Sequence, residues 1–154
     1  MGIHSGPVNE VADLNEQMNV AGAQATAEEA RNLLGQLRKD QPDNSDLAAM
    51  LGLANAALGE KNLALKEIQR AIMLLPSTKE QVHGHAREEC LAVIQVTFGE
   101  NSRAISTLTH LLKTPYSNWI YATPVTPALL RLDPFWDPLR ADPAFQELCE
   151  EKQP

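Results

Sequence analysis

Two six-residue stretches constrain this chain more than its composition does: Gly59–Ala64 reads GEKNLA and Gly99–Ala104 reads GENSRA. In each, a glycine leads to an alanine, and a large aliphatic residue follows one helical turn later, Ile68 in one case and Leu108 in the other. Residues four apart share a helix face, so the pattern describes a turn followed by a helix whose inner face mixes small and large side chains. Small residues also gather around the first stretch. Gly52, Ala54, Ala56, Ala57 and Ala71 lie in segments otherwise built from good helix formers. Helices approach at the short end of the usual spacing of about 8–10 Å only where the contact residues are small. The spacing therefore predicts closely packed antiparallel helix hairpins. The interval from Ala30 to Ala64 equals that from Pro42 to Pro76, which sets a repeat period. Each hairpin of this kind leaves an apolar face for the next to cover, which is why such units stack.

These positions resemble the tetratricopeptide repeat, a pair of antiparallel helices in about 34 residues. The match is fullest over residues 45–78: Leu51–Gly52 stand at the family's Leu–Gly pair, Gly59 at the turn, Ala64 and Ala71 at the close-contact alanines, Ile68 at the large packing position and Pro76 at the closing proline. Ala48 and Asn55 depart from the family's aromatic positions. Residues 85–118 keep Leu91, Ala92, Gly99, Ala104 and Leu108, with Leu111 at the second alanine position and Pro115 one residue early. Residues 11–44 keep Ala30, Leu34 and Pro42 in degenerate form. The resemblance implies an all-α superhelix of about three helix hairpins over residues 11–118, closed by a C-terminal helical cap over residues 119–154. Without the family name, the spacing is also compatible with a plain bundle of alanine-rich helices.

Capping signals set the expected boundaries. Thr26 with Glu29 reads as a capping box opening a helix from Ala27 to Lys39. Asp43, Asn44 or Ser45 opens the next, to Leu58, and Asn62 caps Leu63–Leu75. Ser77 with Glu80 opens a helix to Phe98 that is either longer than its counterpart or broken at Gly84, because Gly99 follows Gly59 by more than one repeat period. Asn101 or Ser102 starts a helix to Lys113. In the tail, Thr126, Asp133, Asp137 and Asp142 each precede a proline, the arrangement of a cap followed by the first helical residue. Short helical turns and a last helix from Pro143 to Glu150 follow from this. The tail's leucines, Phe135, Trp136 and Phe145 are too apolar for a free end and should cover the last hairpin. Residues 126–145 are similar to the segment that follows tetratricopeptide repeats in multidomain bacterial signalling proteins, including cyclases and kinases.

The first residues, GIHSGPV and later NVAGA, resemble part of the catalytic domain of class III adenylate and guanylate cyclases over Met1–Ala23. The metal-binding aspartates of that family belong upstream and are not present, and the helix-forming run after Ala23 replaces the segment that helps hold the transition state. A truncated, catalytically empty relative is implied, its strand-like start left without a sheet, so that residues 1–10 are expected to be mobile, with pairing of that strand to another chain as the alternative. Val8, Val11, Leu14 and Met18 share helical spacing, which predicts a first helix over Asn9–Asn19.

A formal net charge of −7 and a pI near 5.0 argue against nucleic acid and anionic lipid as partners. No apolar run approaches the roughly 20 residues a membrane span requires, and no signal-peptide pattern is visible. Cys90 and Cys149 form no CxxC and read as reduced thiols of a cytoplasmic protein. The expected function is a non-catalytic scaffold for a protein or peptide segment, without metal or cofactor. Its alternatives are a vestigial or regulatory cyclase fragment and self-association with a second copy. By the resemblance, the first helix of each pair lines a concave groove: Asp46, Ala49, Leu53, Ala56 and Ala57 in one, Ala86, Glu89, Val93, Val96 and Thr97 in the other. That surface is small, apolar and flanked by acid, suited to a segment with Lys or Arg beside an aliphatic side chain. The alternative is that the chain's own tail or a second copy fills it. His83 and His85 point to opposite sides of a helix and are expected on its solvated surface. Trp119, Tyr121 and Trp136 are expected to anchor the tail to the last hairpin, with an aromatic binding platform as the alternative.

Overall fold

The computed structural model describes residues 7–76, 79, 81–113 and 125–150, and among them it contains helices and no strand. Seven α-helices follow in order: α1 Pro7–Asp40, α2 Ser45–Ala57, α3 Lys61–Leu74, α4 Gln81–Thr97, α5 Asn101–Leu111, α6 Pro127–Leu132 and α7 Pro143–Glu150, with a 3-10 helix over Pro134–Leu139 between the last two. The cores form in series. Leu34 of α1 meets Leu47 and Leu51 of α2. Ala48, Ala49 and Ala56 of α2, Ala64, Ile68 and Ala71 of α3, and Cys90 and Ile94 of α4 make the second cluster. The third joins α4 and α5 to the tail through Ala92, Leu108, Leu130, Trp136, Leu139 and Phe145, among others.

The two central hairpins, α2–α3 and α4–α5, close with the same hydrogen bonds at equivalent positions. Leu58, Gly59 and Glu60 donate their backbone N–H groups to Ala54, Ala56 and Asn55; Phe98, Gly99 and Glu100 donate theirs to Ile94, Val96 and Gln95. Gly59 and Gly99 carry the left-handed backbone that reverses each chain, with φ of 77° and 74°. A Cβ costs about 1–2 kcal/mol in that conformation. Gly59→Ala and Gly99→Ala are each expected to lower unfolding stability by about that much, with Asn tolerated better, as read by urea denaturation. Lys61 pairs with Glu100 at 3.0 Å, which ties one turn to the other. This contact holds the Glu100 carboxyl below its ordinary range. The stability it adds is present above the unfolded pKa and is lost as pH falls through the lowered one.

Gly52 explains the run of small residues around it. A Cβ there would stand 3.3 Å from Ala64 O, 3.4 Å from Ile68 N and 3.4 Å from Ile94 Cδ1, so α2 lies almost directly on the backbone of α3. Ala64, Ile68, Ala71 and Ala104 are each fully buried.

Several expected boundaries are corrected. The hairpin expected within residues 11–44 is one unbroken helix, α1, and the strand-like segment expected near the start is helical from Pro7 onward. Of residues 1–10, expected to be mobile, residues 7–10 open α1 and residues 1–6 lie outside the described residues. Thr26 does not start a helix; its Oγ1 donates to Gly22 O, 2.9 Å away inside α1. Helices α3 and α5 begin one residue after Glu60 and Glu100, and Asn62 caps nothing there, since no side chain closes either start. Asn44 is the cap of α2, its Oδ1 accepting from Asp46 N at 2.9 Å and Leu47 N at 3.2 Å. Helix α4 passes through Gly84 unbroken and has 17 residues against the 13 of α2. The Ser77–Glu80 box, Trp119 and Tyr121 lie outside the described residues.

The tail folds as its proline pairs suggest, with one exception. Thr126, Asp133 and Asp142 cap the backbone N–H groups of Leu129, Phe135 and Ala144. Asp137 instead lies inside the 3-10 helix and accepts from Arg140 Nε at 2.5 Å. Arg140 also donates to Leu130 O at 3.1 Å and Asp133 O at 2.9 Å, and so satisfies the carbonyls at the end of α6.

Candidate functional site

The structure separates the expected groove residues into three groups. Ala49, Ala56, Ala86, Glu89 and Val96 are buried, Asp46, Leu53 and Val93 are half-buried, and Ala57 and Thr97 are exposed. Equivalent residues of α2 and α4 mostly behave alike, as with Leu53 and Val93. The open concave groove is corrected at the buried positions because α2 and α4 are covered on several sides: α2 by α1, α3 and α4, and α4 by α2, α3, α5 and the 3-10 helix. A helix that is apolar nearly all round ends up between neighbours.

Asp46 is used within the fold. It forms an ion pair with Arg87, whose side chain is 3% exposed against 41% for Asp46. Arg87 Nε donates to Ser45 Oγ at 3.0 Å, and Ser45 Oγ donates to Ala71 O at 2.9 Å. The network joins the start of α2, the end of α3 and the middle of α4.

Among the described residues, a cleft opens between α4 and the tail. It measures about 260 Å³ and is lined by Glu89 and Val93 from α4 and by Val125, Leu129, Asp133, Phe135 and Trp136. Each wall follows from local sequence. The side chains at positions 89 and 93 share a face of α4. On the six-residue helix α6, adjacent leucines cannot both turn inward, so Leu130 enters the core and Leu129 stays 37% exposed. Phe135 meets Trp136 edge-on, ring centroids 4.9 Å apart, with Trp136 buried and Phe135 at the rim. Asp133 supplies a carboxylate at the mouth while capping the 3-10 helix. Apart from Trp136, the tail residues of this cleft carry no binding signal in the sequence, because their apolarity reads equally well as core. The Leu129–Leu130 doublet was the available signal. At this volume the cleft takes one or two side chains rather than a cofactor-sized molecule, for which roughly 300–1,000 Å³ is usual.

The histidines correct another expectation. His85 is buried, its ring centroid 5.5 Å from that of His110, and His110 reaches Glu88 at 3.4 Å. Among the described residues no group of three or more His, Cys, Asp or Glu is arranged to hold a metal. Cys90 and Cys149 are free thiols, both buried. Burial pushes Cys90 up to about 12 and also raises Cys149. The native protein is therefore expected to react at neither thiol with Ellman's reagent near pH 8, and the unfolded chain at both. No helix among the described residues is long and apolar enough to cross a membrane. No family model, curated protein or solved structure matches the chain.

Proposed function

We propose that this chain is a non-catalytic, tetratricopeptide-like interaction module that captures a short protein segment at the cleft between α4 and the C-terminal cap. The observation that carries this reading is the lining of the cleft: five apolar or aromatic side chains, with the carboxylates of Glu89 and Asp133 beside them. The matched turns of the two hairpins and the close contact at Gly52 support the repeat assignment. A Lys or Arg stem lies well against Val93, Leu129 and Phe135 with its charge toward the exposed Asp133 carboxylate at the mouth, and an adjacent aliphatic residue fills the remaining volume.

The test is a peptide-display selection on the whole chain, followed by fluorescence titration of the selected peptides, with Trp136 as the reporter in the cleft. Peptides with Lys or Arg next to Leu, Ile or Val should be enriched. Leu129→Glu should weaken them at least about tenfold, or about 1.4 kcal/mol, at unchanged folding stability. A selection without that motif, or binding that survives Leu129→Glu, refutes the reading.

A further inference from the structure

Apart from Leu33 and Leu37 on α1, the large apolar side chains exposed among the described residues gather in two places. Leu129, Leu132 and Phe135 belong to the tail, the first and last of them as walls of the cleft; Leu63 and Met73 belong to α3. Met73 and Leu132 are the most exposed, at 79% and 78%.

On α3 the apolar pair frames positive charge. Leu63, Lys66, Arg70 and Met73 follow at intervals of three, four and three residues, so they form one strip of the helix. Ala64, Ile68 and Ala71 lie on the opposite face, buried with residues of α2 and α4. No acid stands on the strip. Lys66 is exposed, and Arg70, which donates to Pro42 O at 2.6 Å, keeps 38% of its side chain exposed. The equivalent strip of α5 reads Arg103, Ser106, His110 and Lys113, with bases but no apolar residue. Of the two, α3 alone joins base to aliphatic.

On the tail the charge is reversed. Arg140 is held by Asp137 and by the carbonyl oxygens of Leu130 and Asp133, and Arg131 donates to Cys149 O at 3.0 Å. The exposed Asp133 carboxylate is left at the mouth of the cleft. Such a mouth takes a base set between aliphatic side chains, which is what the strip of α3 offers. Met73 is long and unbranched and suits a cleft of about 260 Å³, with Lys66 further along the strip to face Asp133. The two surfaces cannot meet within one chain. Helix α3 packs on α2 and α4, the tail packs on α4 and α5, and the strip faces away from both neighbours of its own helix.

We propose that the occupant of the cleft is the Leu63–Met73 face of α3 in a second copy of this chain, so that copies join head to tail. The proposal rests on the cleft reading above and names its partner. The contact pairs unlike surfaces, so assembly closes as a ring, of two copies or more, or continues as a chain.

Sedimentation of the whole chain at about 5 and about 200 µM reads the assembly. The average mass should rise with concentration to at least twice the 16.9 kDa of the chain. Lys66→Glu with Met73→Glu spoils the strip, and Leu129→Glu spoils the cleft. Each variant alone should stay monomeric, its native thiols still protected as a check of folding. Mixed, the two variants hold one intact cleft and one intact strip between them and should form a dimer that grows no further, a result that a contact of like with like cannot give. A 16.9 kDa species at both concentrations overturns the proposal. If selected peptides then still bind and respond to Leu129→Glu, the cleft reading survives it. Association untouched by either variant, or a mixture of the two that stays monomeric, overturns it as well.

Discussion

Gly52→Leu is expected to lower the unfolding free energy by about 3 kcal/mol, a large share of the roughly 5–15 kcal/mol that holds such a domain together. The cause is the 3.3–3.4 Å that would separate even a methyl group from Ala64 O, Ile68 N and Ile94 Cδ1. Two of those three atoms are backbone of α3, held by its own hydrogen bonds, so a larger side chain must push whole helices apart. The second cluster, which includes Ala64, Ile68 and Ala71, would open with them. Gly52→Ala makes the discriminating control. It gains about 1 kcal/mol of helix propensity and loses a similar amount to crowding, so it should stay near the parent. The equivalent position in the second hairpin already carries an alanine, Ala92, fully buried. Urea denaturation with an unchanged m-value measures both variants. A Gly52→Leu protein as stable as the parent would mean that α2 and α3 do not meet there.

The hairpins were legible because their signals are local. A glycine at a turn, an alanine shortly after it and a large residue one turn later specify the conformation and inner face of one short segment. The offset between Gly59 and Gly99 carries over into matched backbone bonds. The continuity of α1 was not legible for a related reason. Thr26 followed by Glu29 is a start signal only where the preceding chain is not helical, and nothing between Asn19 and Thr26 breaks a helix outright. Gly22 weakens one by about 1 kcal/mol, but no proline or turn cluster stops it. Thr26 therefore bonds back to Gly22 O, as a threonine inside a helix does.

The groove failed for another reason, since the exposure of α2 and α4 depends on contacts far away in sequence. Ala49 and Ala56 are small enough to line a groove and also small enough to be pressed into a core, and the neighbours decide between the two. The tail's apolarity announced a cap, but not that Glu89 and Val93 would form a wall with Leu129 and Phe135.

Arg87→Ala is the second change with a large expected cost, about 2–4 kcal/mol. A cation with 3% of its side chain exposed, in the middle of α4, is tolerated only because its charge and donors are used: the carboxylate of Asp46 and the hydroxyl of Ser45 receive them. Truncation removes the ion pair, leaves Ser45 Oγ without its incoming donor and opens a hole where the first hairpin meets the second. Asp46 stays 41% exposed, so water reaches the carboxylate left behind, which keeps the loss below that of a fully enclosed pair. Arg87→Met, which keeps the stem and its packing, should recover about half of it. In a double-mutant cycle, Arg87→Ala with Asp46→Ala should show a coupling on the order of 1–2 kcal/mol, above the few tenths usual for surface pairs. If Asp46 instead served a partner from the groove, Asp46→Ala would reduce capture and leave stability alone. The network assigns it the reverse, a stability defect with peptide binding at the α4–tail cleft intact.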